Sequence, residues 1–212
     1  AVVLGEVSAA ASVGTGSPGV CPRPGPPPPG PPTAVYVGTL HADRLDVGLC
    51  EDTARALDGV GSLVLVGPVS LERPDVDRLR RAGVVVLGAR PFDAVPAYLQ
   101  HADALVVPHV VDDFTDSLDP LKLYEYRAVG RPVVSTPVAG FRDTADPRVA
   151  VASPEGFAAA VRDALAEPSR GPAAPLDEGS GTDPEPIPTW VRQVALMSDV
   201  VEAVRRPAPT PR

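Results

Sequence analysis

Five short apolar runs recur along the chain: Ala34-Val35-Tyr36-Val37, Leu63-Val64-Leu65-Val66, Val84-Val85-Val86-Leu87, Ala104-Leu105-Val106-Val107 and Pro132-Val133-Val134-Ser135. None alternates with polar residues, so each must be covered on both faces. Helix-length segments separate them, and short strands buried on both faces and joined by helices form a parallel sheet. Helices are expected over about 44–57, 75–82, 92–100, 120–129 and 154–166, and a weaker strand near Val149-Ala150-Val151. The fold class is therefore α/β, a doubly wound parallel sheet. Such sheets hold ligands at the carboxyl ends of their strands, which sets residues 38–44, 67–68, 88–91, 109–119 and 136–140 along one rim.

Proline marks the limits of this unit. Of 28 prolines, nine fall in residues 1–32, nine in 168–212 and ten in the 135 residues between. We read 1–32 as a Pro-rich disordered segment, 33–167 as the folded domain, 168–189 as a Pro/Gly/acidic linker and 190–206 as an amphipathic helix. That helix carries Trp190, Val194, Met197, Val200, Val201 and Val204 on one apolar face, which needs a cover. The chain begins with Ala1 rather than Met, as expected of a processed chain or a fragment. A net charge of −8 argues against a nucleic-acid partner, because phosphate-backbone binders carry a basic footprint. Two cysteines, Cys21 and Cys50, give neither a disulfide framework nor a metal pattern, as expected in a reducing compartment. With no apolar run of about 18–20 residues and no leader pattern, the expectation is a cytoplasmic protein, with peripheral membrane association left open.

The segment from Asp116 to Ser135 carries the chemistry. Asp119 before Pro120 reads as an N-cap and first-turn proline, and Gly130 as the stop of the helix between them. Leu118, Leu121 and Ala128 are expected to face the core. Lys122 and Glu125 stand three apart and share a face. A lysine in the first turn opposes the helix dipole, but a bound phosphate reverses that sign, and Glu125 could then accept hydrogen bonds from the attached sugar. The plainer alternative is a surface Lys–Glu pair. Lys122 is the only lysine against eighteen arginines, which suggests a position where a planar guanidinium will not serve.

Residues 33 to about 167 resemble the C-terminal, donor-binding half of GT-B glycosyltransferases, in particular the retaining bacterial enzymes of cell-surface polysaccharide synthesis. The resemblance rests on Tyr36-Val37-Gly38-Thr39-Leu40, Leu65-Val66-Gly67, Leu87 to Pro91 with Val95 to Asp103, and most specifically on Glu125-Tyr126-Arg127-Ala128-Val129-Gly130-Arg131-Pro132-Val133-Val134. It implies a Rossmann-like domain that binds a nucleoside-diphosphate sugar without a cofactor. Glu125 would hold the ribose, Lys122 a phosphate or donor-sugar oxygen, Gly38 and Thr39 would lie against the diphosphate, and the loop with Arg90 near the base. Many relatives place a glutamate where this chain has Ser117, and an arginine where it has Thr39, with Arg44 a nearby unaligned substitute. The N-terminal, acceptor-binding domain has no counterpart in residues 1–32, so a separate polypeptide carrying one is an expected partner. The terminal helix resembles the one that crosses back onto that domain.

His109, at a strand end on the rim, is a further ligand candidate, whereas His101 is expected only to end a helix. Asp112-Asp113-Phe114-Thr115-Asp116 matches a DDxxD pattern but lies in an expected loop with no second cluster, so it reads as a solvated acidic turn and no metal is assigned. The expected function is transfer of a sugar from a nucleoside-diphosphate sugar to an acceptor. The alternatives are a non-catalytic nucleotide-binding or interaction module, a truncated inactive copy, and a sugar-nucleotide epimerase of the same fold.

Overall fold

The structure, a computed structural model, describes residues 30–117, 121–166 and 190–205. Six strands, β1 (Thr33–Val37), β2 (Ser62–Val66), β3 (Val85–Gly88), β4 (Ala104–Val107), β5 (Val133–Ser135) and β6 (Val149–Val151), form one parallel sheet in the order β3-β2-β1-β4-β5-β6. The helices are α1 (Val47–Ala56), α2 (Arg73–Arg81), α3 (Val95–His101), the single turn α4 (Asp113–Asp116), α5 (Leu121–Val129), α6 (Pro154–Ala166) and α7 (Trp190–Arg205), with a 3-10 turn at Phe92–Ala94. The doubly wound sheet expected from the apolar runs is the fold observed.

Alternation along each strand divides the core in two. Ala34, Tyr36, Leu63, Leu65, Ala104 and Val106 meet Leu49 and Cys50 of α1, Leu79 of α2 and Phe157 and Val161 of α6 on one face. Val35, Val66, Leu105, Val107 and Val133 meet Leu99 of α3 and Leu123 and Tyr126 of α5 on the other. The strand order reverses between β1 and β4, so the connections leave that point in opposite directions and open a crevice at the carboxyl ends. Their ladder is short, running only through Ala34↔Ala104 and Val35↔Leu105.

Three expectations are corrected. Leu121 is 61% exposed and Ala128 is exposed, while Leu123, Tyr126 and Arg127 are buried. Helical spacing from Leu123 reaches 126 and 127, and this face, wide enough to include a buried arginine, packs on the sheet. Leu118, Asp119 and Pro120, and with them the N-cap, lie outside the described residues. Helix α1 starts at Val47 rather than near Arg44, because the Asp46 side chain caps it by accepting from the Leu49 amide at 2.9 Å. Residues 113–116 are helical rather than loop: Asp112 accepts from the Thr115 amide while the Thr115 hydroxyl accepts from the Asp112 amide.

Along α7 every described side chain from Val191 to Glu202 is exposed, including Val194, Met197, Val200 and Val201 of the expected apolar face. The side chains of Trp190 and Val204 lie outside the described residues.

Candidate functional site

The crevice between β1 and β4 is floored by a turn built from two glycines. The Gly38 amide donates to the Val66 carbonyl at 2.9 Å, and the Leu40 amide to the Pro68 carbonyl at 2.8 Å. Gly38 and Gly67 have φ of 157° and 144°, and a Cβ on Gly67 would lie 2.0 Å from the Gly38 carbonyl oxygen. Backbone therefore packs directly on backbone, and a side chain at Gly67 would push the turn into the crevice.

Helix α5 grips the last residue of β1 from one side. Where the β1–β4 ladder has stopped, the Val37 amide donates to the Tyr126 hydroxyl at 3.1 Å. The Lys122 ammonium donates to the Val37 carbonyl. Lys122 Nζ also lies 4.7 Å from the centroid of Tyr36 and 5.8 Å from that of Tyr126, so the cation sits between two aromatic rings that belong to opposite faces of the sheet. Burial pulls its pKa down to about 8; the Glu125 charge opposes the fall and Arg44 adds to it. Glu125 is exposed and, among the described residues, makes no hydrogen bond or ion pair. The surface Lys122–Glu125 pair is thus not formed.

The loop after β4 is zipped to the residues before α1. The Val110 amide donates to the Arg44 carbonyl at 2.8 Å, the Asp46 amide to the Pro108 carbonyl at 2.9 Å, and Leu45 bridges His109. The Thr136 hydroxyl donates to the His109 carbonyl at 2.9 Å. Arg44 is held close enough for its charge to act on Tyr36, His109 and Lys122. His109 is buried, with its Nε2 3.1 Å from the Tyr36 hydroxyl. Burial first, then Lys122 and Arg44, lower its pKa to about 3.

Of the residues singled out in the sequence, Gly38, Arg44, His109 and Lys122 come together at this point, with Thr39 half-buried in the turn and Glu125 on the outer side of α5. Two do not join them. Arg90 follows β3, two strands away from β1, and its Nε donates to the Tyr98 hydroxyl at 3.1 Å. Ser117 ends α4 and its hydroxyl donates to the Phe114 carbonyl at 2.7 Å. The acidic run is occupied locally, with Asp112 capping α4 and Asp116 paired to Arg142. Sequence reasoning placed Tyr36 within a buried strand without a role for its hydroxyl and gave Tyr126 no role of its own. A tyrosine in an aliphatic strand is itself a signal, because a buried hydroxyl needs a partner.

The arrangement is a cationic, partly desolvated cluster beside a glycine turn, with an exposed carboxylate a helical turn away. It can neutralise an anion and accept from hydroxyls attached to that anion.

Comparison with solved structures gives the same fold. The apo structure of OtsA superposes with a TM-score of 0.54 at 13% identity, covering 88% of this chain and 48% of that one. Anabaena HepE in complex with UDP gives 0.52 at 16% identity, covering 64% of this chain and 38% of that one. TarM of S. aureus, solved with Fondaparinux, alpha-GlcNAc-glycerol and UDP, gives 0.51 at 12% identity, covering 66% and 30%. This chain thus spans less than half the length of each. No curated protein sequence matches it. No helix among the described residues is long and apolar enough to cross a membrane. A family model described as glycosyl transferases group 1 matches residues 31–167, the whole α/β unit, and the chain belongs to that family.

Proposed function

We propose that this chain is the donor-binding half of a glycosyltransferase, acting from the cytoplasm in the transfer of a hexose from a nucleoside-diphosphate sugar to an acceptor in cell-surface polysaccharide or glycolipid synthesis. The observation that carries the reading is the desolvated Lys122 ammonium held over the Gly38 turn at the sheet's reversal point, with Arg44 beside it. Their charges would neutralise the diphosphate as it leaves, and the Gly38 turn would let it approach the backbone. No protein-bound metal is needed for that role. Glu125, exposed and without a bonded partner among the described residues, would accept from the ribose hydroxyls. UDP is the first nucleotide to test, because two structures of the same fold were solved with it. The acceptor would be held by a GT-B N-terminal domain on a separate polypeptide, which the uncovered face of α7 favours.

Calorimetry with a panel of UDP-, GDP- and ADP-sugars tests the reading, and absence of binding to all of them at millimolar concentration would overturn it. Glu125→Gln should cost the preferred nucleotide about 1.5–3 kcal/mol of affinity, as for a hydrogen bond to a charged group.

A further inference from the structure

Tyr36 and His109 are the polar groups of the crevice to which donor binding by Lys122, Arg44 and Glu125 gives no work. They come from different elements, Tyr36 from β1 and His109 from the loop after β4, and meet with their rings edge to face, centroids 5.6 Å apart. Both are buried, and among the described residues the contact between hydroxyl and Nε2 is the only hydrogen bond of either side chain. Their position is central. A Cβ on Gly38 would lie 2.8 Å from the Tyr36 hydroxyl and 2.7 Å from Lys122 Nζ, so phenol and ammonium converge on the same point of the turn.

Counting protons shows what the pair can offer. Protonation of His109 is opposed by burial and by Lys122 of α5 and Arg44 of the loop before α1, and ionisation of Tyr36 is opposed by burial, with its pKa raised. Arg44 partly offsets the rise at Tyr36, and buried Cys50 of α1 adds to it. The other groups near the pair are Tyr126, also raised by burial, and the exposed Glu125, whose charge reaches Lys122 and Tyr126. Imidazole and phenol are therefore both neutral through the physiological range. A neutral imidazole and a phenol carry two exchangeable protons between them. One lies in the bond between hydroxyl and Nε2. The other is left over, on Nδ1 if the hydroxyl donates, or on the hydroxyl if Nε2 donates.

We propose that Tyr36 and His109 act as one neutral hydrogen-bond donor, giving their spare proton to an oxygen of the diphosphate that Lys122 holds. The nature of the ligand rests on the donor-site reading above; the pair itself is a site for a diphosphate group. Its contribution differs in kind from that of Lys122. The ammonium titrates near pH 8, whereas the pair keeps its donor unchanged across that range, so anion contact at the turn persists where the lysine charge fades.

The test uses the full chain with 15N-labelled histidines, of which there are three, the His109 signals being identified by their loss in His109→Gln. UDP and inorganic pyrophosphate are titrated separately. The expected result is a neutral His109 in one tautomer between about pH 5 and 8 whose imidazole signals move with either probe. Tyr36→Phe should relax the tautomer preference, and Tyr36→Phe and His109→Leu should each weaken pyrophosphate binding about fivefold, as for loss of one neutral hydrogen bond. Pyrophosphate binding that shifts His109 without any binding of UDP supports the pair and removes the nucleotide reading. Signals unmoved by both probes, or pyrophosphate bound as tightly by His109→Leu as by the native chain, overturn the proposal. Should Tyr36→Phe fail to fold, the His109→Leu titration decides alone.

Discussion

Lys122 holds its charge where burial, and after it the nearby Arg44, disfavour it, and its folded pKa of about 8 lies below the ordinary 10.5. Between those two values the unfolded chain binds the extra proton, so this residue makes stability rise with pH from about 8 to 10.5 and counts against the empty protein at neutral pH. Lys122→Met keeps the stem and removes the charge. It should melt no lower than the native chain at pH 7, lose its advantage as pH approaches 10.5, and show a smaller shift with UDP than the native chain. Thermal melts across that range check it, and equal destabilisation at both ends would show that the charge was not the cost. An anion raises the lysine pKa on binding, so nucleotide affinity should be full below about pH 8 and decline above it.

At the scale of elements, α5 is tied to the segment between β5 and β6 by a buried ion pair. Arg127 Nε donates to the Asp146 carboxylate at 3.1 Å, and Arg148 Nε donates to the same carboxylate at 2.9 Å. Burial pushes the Asp146 pKa up, yet the bonds from Arg148 and Arg127 outweigh it and hold the group at about 2, below the ordinary 3.8. The stability this adds is complete above about pH 4 and is lost as pH falls toward 2. Asp146→Asn removes the buried carboxylate charge to which Arg127 and Arg148 both donate and should cost about 3 kcal/mol at pH 7. Denaturant unfolding should show that gap narrowing between pH 4 and pH 2; a constant gap would place the loss in packing. This ion pair also shows where sequence reading stops. Strands were legible because Leu63-Val64-Leu65-Val66 or Ala104-Leu105-Val106-Val107 has one way to hide its side chains. Helix α5 was legible as a helix and misread in its facing, since leucine and alanine at 121 and 128 look more apolar than an arginine at 127 that brings its own carboxylate from nineteen residues away. The site divides the same way. Gly38 and Lys122 were visible as a turn and an ill-placed charge, but Lys122 lying inward and Glu125 outward depends on Tyr36 and Tyr126, which only the folded sheet brings together.

Across the whole molecule, the described parts differ in how their apolar surface is used. The two cores close on either side of the sheet, whereas the described side chains of α7 from Val191 to Glu202 are all exposed. A chain ending at residue 166 should therefore melt within about 3 °C of the full one, the range of changes that touch no buried group. A larger fall would mean that α7 covers part of the α/β unit in solution. Within the α/β unit, one amide is placed to report an opening smaller than unfolding of the sheet. Val37 lies in a central strand, where an amide is usually released only when the sheet unfolds, but its proton is held by a side chain of α5. Hydrogen exchange at this amide therefore clocks the undocking of a helix rather than the melting of the sheet. It should exchange faster than the amides of Val35 and Leu105 and slow down when a ligand fixes Lys122, which makes one backbone proton a local gauge of whether the crevice is occupied.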